Sequence, residues 1–69
     1  MRLSARNQLD GTVRRVQHGA VMSSVVIGLP GGQEVVSVIT KESAEALELK
    51  EGDAVKAIIK STEVVIGKE

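Results

Sequence analysis

The sequence predicts a mostly β domain: a five-stranded oligonucleotide-binding-type barrel with one short helix. Three observations predict it. Short runs of β-branched residues recur along the chain, each bounded by glycine, proline or aspartate. One helix-start signal falls between the third and fourth runs. The core has to be built without Trp, Tyr, Phe or Cys, from Val, Ile, Leu, Ala and two Met, the residues that fit a small pleated interior.

Leu9 to Val16 is rich in extended-formers, and Gly11 is where a bulge would bend the strand. His18-Gly19 reads as a turn. Val21 to Leu29 is the clearest strand, with Val21, Val25, Ile27 and Leu29 on one face and Met22 and Val26 on the other. Pro30-Gly31-Gly32 is the strongest turn signal and closes a hairpin into Glu34 to Thr40. Both faces are apolar again there, with Val35 and Ile39 opposing Val36 and Val38. Thr40 caps a short helix, Glu42 suits the positive end of its dipole, and Ala44 and Leu47 form a small apolar stripe. Glu51-Gly52-Asp53 ends the excursion. Ala54 to Lys60 alternates, with Val55, Ala57 and Ile59 inward and Lys56 and Lys60 outward. Val64 to Ile66 makes the fifth strand.

A chain of 69 residues makes a single domain, 1–69, and a marginal one. Small domains need a disulfide, a metal or a partner subunit. Cysteine is absent and there is one histidine, so oligomerisation is the remaining route; a marginal monomer is the alternative. Strands apolar on both faces strengthen the oligomer reading, because both faces must be covered. Nine basic and nine acidic side chains cancel, leaving no global field for a polyanion and no aromatic platform for stacking bases. Both count against a nucleic-acid-binding barrel. With no membrane-length apolar run and no secretory leader, a cytoplasmic protein is the default.

Candidate chemistry concentrates at the two ends. Ser4 offers a hydroxyl, Arg6 a five-donor fork and Asn7 an amide, with backbone N–H groups such as that of Ala5 between them. Lys60 and Ser61 add a compact cation and a hydroxyl at a strand end. Donors without a carboxylate pair, a nucleophile–base pair or a metal cluster suit an oxyanion and do not describe an enzyme. On spacing alone Ser4 to Asn7 reads first as a solvated leader, and Lys60-Ser61 as an edge that discourages aggregation. Magnitude matters as well. Micromolar affinity takes about 8 kcal/mol, and a hydrogen bond to a charged group contributes about 1.5–3 kcal/mol before association entropy is subtracted. About five to seven donors are needed on those figures, more than either segment holds.

The wording Ser4-Ala5-Arg6-Asn7-Gln8, followed late in the chain by Ile59-Lys60-Ser61-Thr62, resembles the molbindin (Mop) family of small molybdate-binding proteins. Ile39-Thr40-Lys41-Glu42-Ser43 is similar to the family as well, with Thr40 and Ser43 read mainly as helix-start residues. The resemblance spans nearly the whole chain and reverses the solvated-leader reading. It implies a Mop- or TOBE-type oxyanion-binding domain that stores, buffers or delivers molybdate, and tungstate with it, in the cytosol. It implies a homohexamer, a trimer of dimers, with the oxyanion held at subunit interfaces and no cofactor besides that ligand. By motif, Ser4, Ala5, Arg6, Asn7, Lys60 and Ser61 would bind the oxyanion. Ser61 stands where many relatives have alanine and adds a donor. His18, Gly19 and Ala20 would contribute to a second oxyanion site; on its residues alone His18 reads as a turn or interface residue. An anion-sensing regulatory or assembly module is the alternative, since sensing and storage use one pocket. Molybdate exceeds sulfate in bond length, so a rigid pocket separates those two; molybdate and tungstate are too alike to rank.

Overall fold

The computed structural model describes residues 1–69. Four strands and one short helix follow in the order β1 (Asn7–His18), β2 (Met22–Gly28), β3 (Glu34–Thr40), α1 (Lys41–Ala46) and β4 (Ala54–Ile59), with a 3₁₀ turn at Ser61–Glu63. The strands form one antiparallel sheet in the order β3-β2-β1-β4. It is curled into a half-barrel, and β3 and β4 are its two free edges.

β1 is long because it serves two partners. Its first half pairs with β4, from Asn7 opposite Ile59 to Thr12 opposite Ala54. Its second half pairs with β2, from Thr12 opposite Gly28 to His18 opposite Ser23. The register shifts between Val13 and Arg15, which makes Arg14 the extra residue of a bulge. The shift changes the side-chain parity of the strand, so Val13 and Val16 both face the core. Gly11 is not the bulge. It is the point of closest approach between strands: a Cβ there would lie 2.5 Å from Ile27 Cγ2 and 2.9 Å from the Gly28 carbonyl oxygen.

The β2–β3 hairpin forms as the Pro30-Gly31-Gly32 signal predicts. Leu29 N–H donates to Gln33 O at 2.7 Å, Gly32 N–H donates to Leu29 O at 3.0 Å, and Gly32 takes a φ of +90°. Thr40 caps α1 by accepting from Ser43 N–H at 3.0 Å. The helix ends in a Schellman motif: Glu48 adopts a left-handed φ of 52° and donates to Glu45 O, while Leu49 N–H donates to Ala44 O. Ala44 is buried, but Leu47 is 66% exposed as the C-cap, so the predicted apolar stripe is half covered.

The core is Val13, Val25, Ile27 and Ala57, flanked by Val16, Leu29, Val35, Ile39, Leu49 and Val55. Val55 and Ala57 are inward as predicted for β4. Of the two apolar faces read for β2 and β3, the one bearing Val25, Ile27 and Leu29 and the one bearing Val35 and Ile39 turn to the core. Ser23, a buried hydroxyl, joins them on the same face of β2. Val21 belongs to the loop before β2 and is exposed. Val64 to Ile66 forms no strand within the chain; Val65 and Ile66 are 90% and 84% exposed. The 3₁₀ turn ends the run of β4, and residues 64–66 then pair with neither free edge of the sheet.

Only seven residues are buried, too few for a self-sufficient core. The chain exposes 5644 Å², against about 4,200 Å² for a folded monomer of this mass. Its radius of gyration is 12.7 Å, against about 11 Å for a compact chain of this length.

Candidate oxyanion site

Antiparallel pairing of β1 and β4 is what brings the two ends of the chain together. The ladder ends with Asn7 opposite Ile59, and Asn7 Nδ2 donates to the Ile59 carbonyl oxygen at 3.2 Å. Arg6 directly precedes this closing pair and Lys60 directly follows it. Gln8 Nε2 donates to Ala5 O at 2.8 Å and ties the leading segment back onto β1. On the other side, Lys60 O accepts from Glu63 N–H at 2.9 Å and Ser61 O from Val64 N–H at 3.3 Å, which fixes the 3₁₀ turn.

Ser4, Arg6, Lys60 and Ser61 are exposed, and none of their side chains makes a hydrogen bond or ion pair within the chain. The chain's ion pair lies further along the same ladder, where Lys56 Nζ contacts Asp10 Oδ1 at 2.6 Å from the directly opposite strand position. Asp10 thus neutralises Lys56 and leaves Arg6 and Lys60 as uncompensated cations at the ladder's end. Chemically this is a cluster of charge-assisted donors, able to hold a tetrahedral oxyanion through N–H and O–H groups. It lies open on the surface of the single chain. One of the two Asn7 amide hydrogens is already used, so Asn7 brings at most one donor to a ligand.

The second candidate group lies at the opposite end of β1. His18 Nδ1 and Ser23 Oγ are 2.6 Å apart, across a directly paired strand position. Gly19 N–H donates to Met22 O at 2.7 Å, so this backbone donor is spent inside the loop, whereas Ala20 N–H has no backbone partner. Gln17, His18, Gly19, Met22, Ser23, Ser24 and Val38 line a concavity of about 400 Å³. Sequence reasoning missed Ser23 because it sits among apolar neighbours at an inward position; its five-residue separation from His18 across a loop was the available signal. Thr40 and Ser43 bond to each other, Oγ1 to Oγ at 2.7 Å, as helix-start residues.

An apolar concavity of about 310 Å³ lies on the inner face of the sheet and reaches both free edges. Val35, Val36 and Ile39 border it from β3, and Val55, Ala57 and Ile59 from β4.

A family model described as the TOBE domain matches residues 3–66 of the chain. Molybdenum-pterin-binding protein 3 of Clostridium pasteurianum is 48% identical over 66 residues, covering 96% of this chain and 97% of that protein. This chain belongs to the molbindin (Mop) family of TOBE-domain proteins. Solved structures agree with the Mop-family assignment over the full fold. MopII from Clostridium pasteurianum superposes with a TM-score of 0.92 at 42% identity, covering 97% of this chain and 100% of that one. A molybdate-binding protein from Sporomusa ovata gives a TM-score of 0.92 at 40% identity, covering 99% and 100%. Both candidate groups of this Mop-family chain fall inside the matched residues. No helix of the chain is long and apolar enough to cross a membrane.

Proposed function

We propose that this chain is a molybdate-binding protein that captures molybdate, and tungstate with it, reversibly, for storage, buffering or delivery in the cytosol. The observation that carries the proposal is the donor cluster at the β1–β4 closure, where Arg6 and Lys60 stand uncompensated beside Ser4, Ala5, Asn7 and Ser61. Membership of a family whose relatives are named for molybdate and molybdenum-pterin binding supports the choice of ligand.

One cluster does not close around a dianion. Its donors are exposed, and surface cations lose most of their attraction to solvent screening. A second subunit that buries the cluster would lower the local dielectric, add donors and bring the count to the number micromolar binding requires. Two features support an oligomer. The uncovered groove between β3 and β4 is apolar, and Val64, Val65 and Ile66 form an exposed apolar segment with strand-forming character. In this reading residues 64–66 of one copy lie across the groove of another and supply the fifth strand of each barrel. Three such dimers form the hexamer.

The test is titration calorimetry with molybdate and tungstate, joined to thermal melts of the assembled protein. Ligand at about 100 times its Kd stabilises by about 2.7 kcal/mol, and each kcal/mol moves the melting point of a domain this size by about 4–8 °C. Arg6→Ala is expected to weaken binding about tenfold or more, the equivalent of one charge-assisted hydrogen bond, while the ligand-free melt stays close to wild type. Absence of both heat and a melting shift with either oxyanion would sink the proposal. An Arg6→Ala protein that fails to assemble yet binds normally per folded subunit would make Arg6 a structural residue.

A further inference from the structure

We propose that Gln8 is a positioning residue, holding the donor arm of residues 4–6 in its capture geometry before any oxyanion arrives. By doing so it sets the preference for molybdate over sulfate. The proposal rests on the reading of the chain as a molybdate binder and deepens it.

The arm has a single tether. Residues 1–6 precede β1, and outside the strands and the helix no backbone–backbone hydrogen bond reaches them. Their one side-chain hydrogen bond is that from Gln8 Nε2 to Ala5 O, at 2.8 Å. Ala5 is also the one residue of the six that is not exposed. Gln8 itself is anchored, because it stands opposite Ile58 in the β1–β4 ladder, and the Ile58 side chain offers its amide no competing partner. A fixed strand residue therefore reaches back and holds the middle of the segment that carries Ser4, the Ala5 N–H and Arg6.

The bond fixes orientation as well as place. In a trans peptide the Ala5 C=O and the Arg6 N–H point to opposite sides of the chain. With Ala5 O committed to Gln8, an acceptor that would repel an oxyanion is kept occupied. The Arg6 N–H then faces away from Gln8, with no backbone partner of its own. A flip of this peptide would exchange the two and present an acceptor where the anion needs a donor. Fixing the arm also bears on selectivity. A loose arm is ordered only on binding, and that ordering cost is subtracted from affinity. It also closes around whichever anion arrives. Sulfate has shorter bonds to oxygen than molybdate, so a fixed arm leaves sulfate at poor hydrogen-bond distances, whereas a loose arm follows it inward.

The experiment measures molybdate affinity by calorimetry, and sulfate affinity by competition against molybdate, for wild type and Gln8→Met. Methionine keeps the length of the side chain and removes the donor. Native mass spectrometry and a ligand-free melt show whether the variant folds and assembles as wild type does. Molybdate is expected to bind Gln8→Met about tenfold more weakly, the equivalent of one hydrogen bond. Sulfate affinity stays close to wild type, so the preference for molybdate falls by the same factor. A residue that only supports the fold would weaken both anions in proportion. Backbone ¹⁵N relaxation of the ligand-free wild type gives a second reading that needs no variant. Ala5 and Arg6 are expected to be as rigid as β1, with Met1 to Leu3 mobile, and this reading decides if Gln8→Met does not assemble. An unchanged preference in assembled Gln8→Met, or Ala5 and Arg6 as mobile as Met1, overturns the role of Gln8 and leaves molybdate binding standing. Failure of wild type to bind molybdate overturns both readings.

Discussion

At Gly11 a methyl group would meet Ile27 Cγ2 at 2.5 Å and the Gly28 carbonyl oxygen at 2.9 Å. The second of these is backbone and cannot swing aside, so the sheet itself must shift to admit a side chain. Gly11→Ala is expected to cost about 1–3 kcal/mol, the usual range for overpacking a core. In denaturant the midpoint should fall with the slope unchanged; an unaltered midpoint would show that β1 and β2 separate freely at this point. Glycine marks the position in the sequence, but two different causes produce the same letter. A bulge and a close approach both ask for a missing Cβ, and only the neighbouring strand tells them apart. The bulge falls instead on Arg14, a residue with nothing in its type to announce it. Asn7 carries a comparable lesson for the site. Its type makes it a candidate donor, whereas its bond to Ile59 O makes it the clasp that closes β1 onto β4 as well.

At the scale of elements, local chemistry was legible and long-range partnership was not. The turn at Pro30-Gly31-Gly32, the cap at Thr40 and the alternation of Ala54 to Lys60 depend on residues a few positions apart, and each forms as read. Leu47 and the Val64–Ile66 run depend on what lies opposite them, and no local pattern encodes that. Helix α1 offers a paired test of its two ends. Thr40→Ala removes the cap to Ser43 N–H and is expected to cost about 1 kcal/mol. Glu48→Gly removes the penalty of a left-handed residue bearing a Cβ. It is expected to stabilise by about 0.5–1 kcal/mol, after the extra freedom glycine gives the unfolded chain. Opposite movements of the thermal midpoint check the pair. Equal destabilisation by both would mean that the helix end does not rely on the Schellman geometry. The candidate site was legible in the same divided way: residue types at each chain end suggested donors, and the register of β1 against β4 then joined the two ends. The His18–Ser23 contact stayed hidden, because a serine inside a β-branched run carries no outward sign of its partner.

For the whole molecule, surface area is the informative quantity. The chain exposes 5644 Å², about 1,400 Å² more than a folded monomer of its mass ordinarily shows, and a standard protein interface buries about 1,600 Å² in total over both partners. The excess per chain exceeds the roughly 800 Å² that one such interface takes from each side, which leaves area for more than one contact per subunit, as the proposed hexamer needs. Val65 and Ile66 concentrate that excess, and the groove between β3 and β4 is its apolar counterpart. The double substitution Val65→Asp and Ile66→Asp places two carboxylates where the proposed contact is driest, and burying an unpaired charge is costly enough to prevent docking. Native mass spectrometry should then show loss of the hexamer, and molybdate affinity should fall with it, because the donor cluster of Arg6 and Lys60 returns to solvent. Chains that do not assemble should also melt at lower temperature, the more so on dilution, since stability and association are linked. A variant that stays hexameric with unchanged affinity would place residues 64–66 outside the interface. The groove would then have to be covered by some other part of the partner subunit.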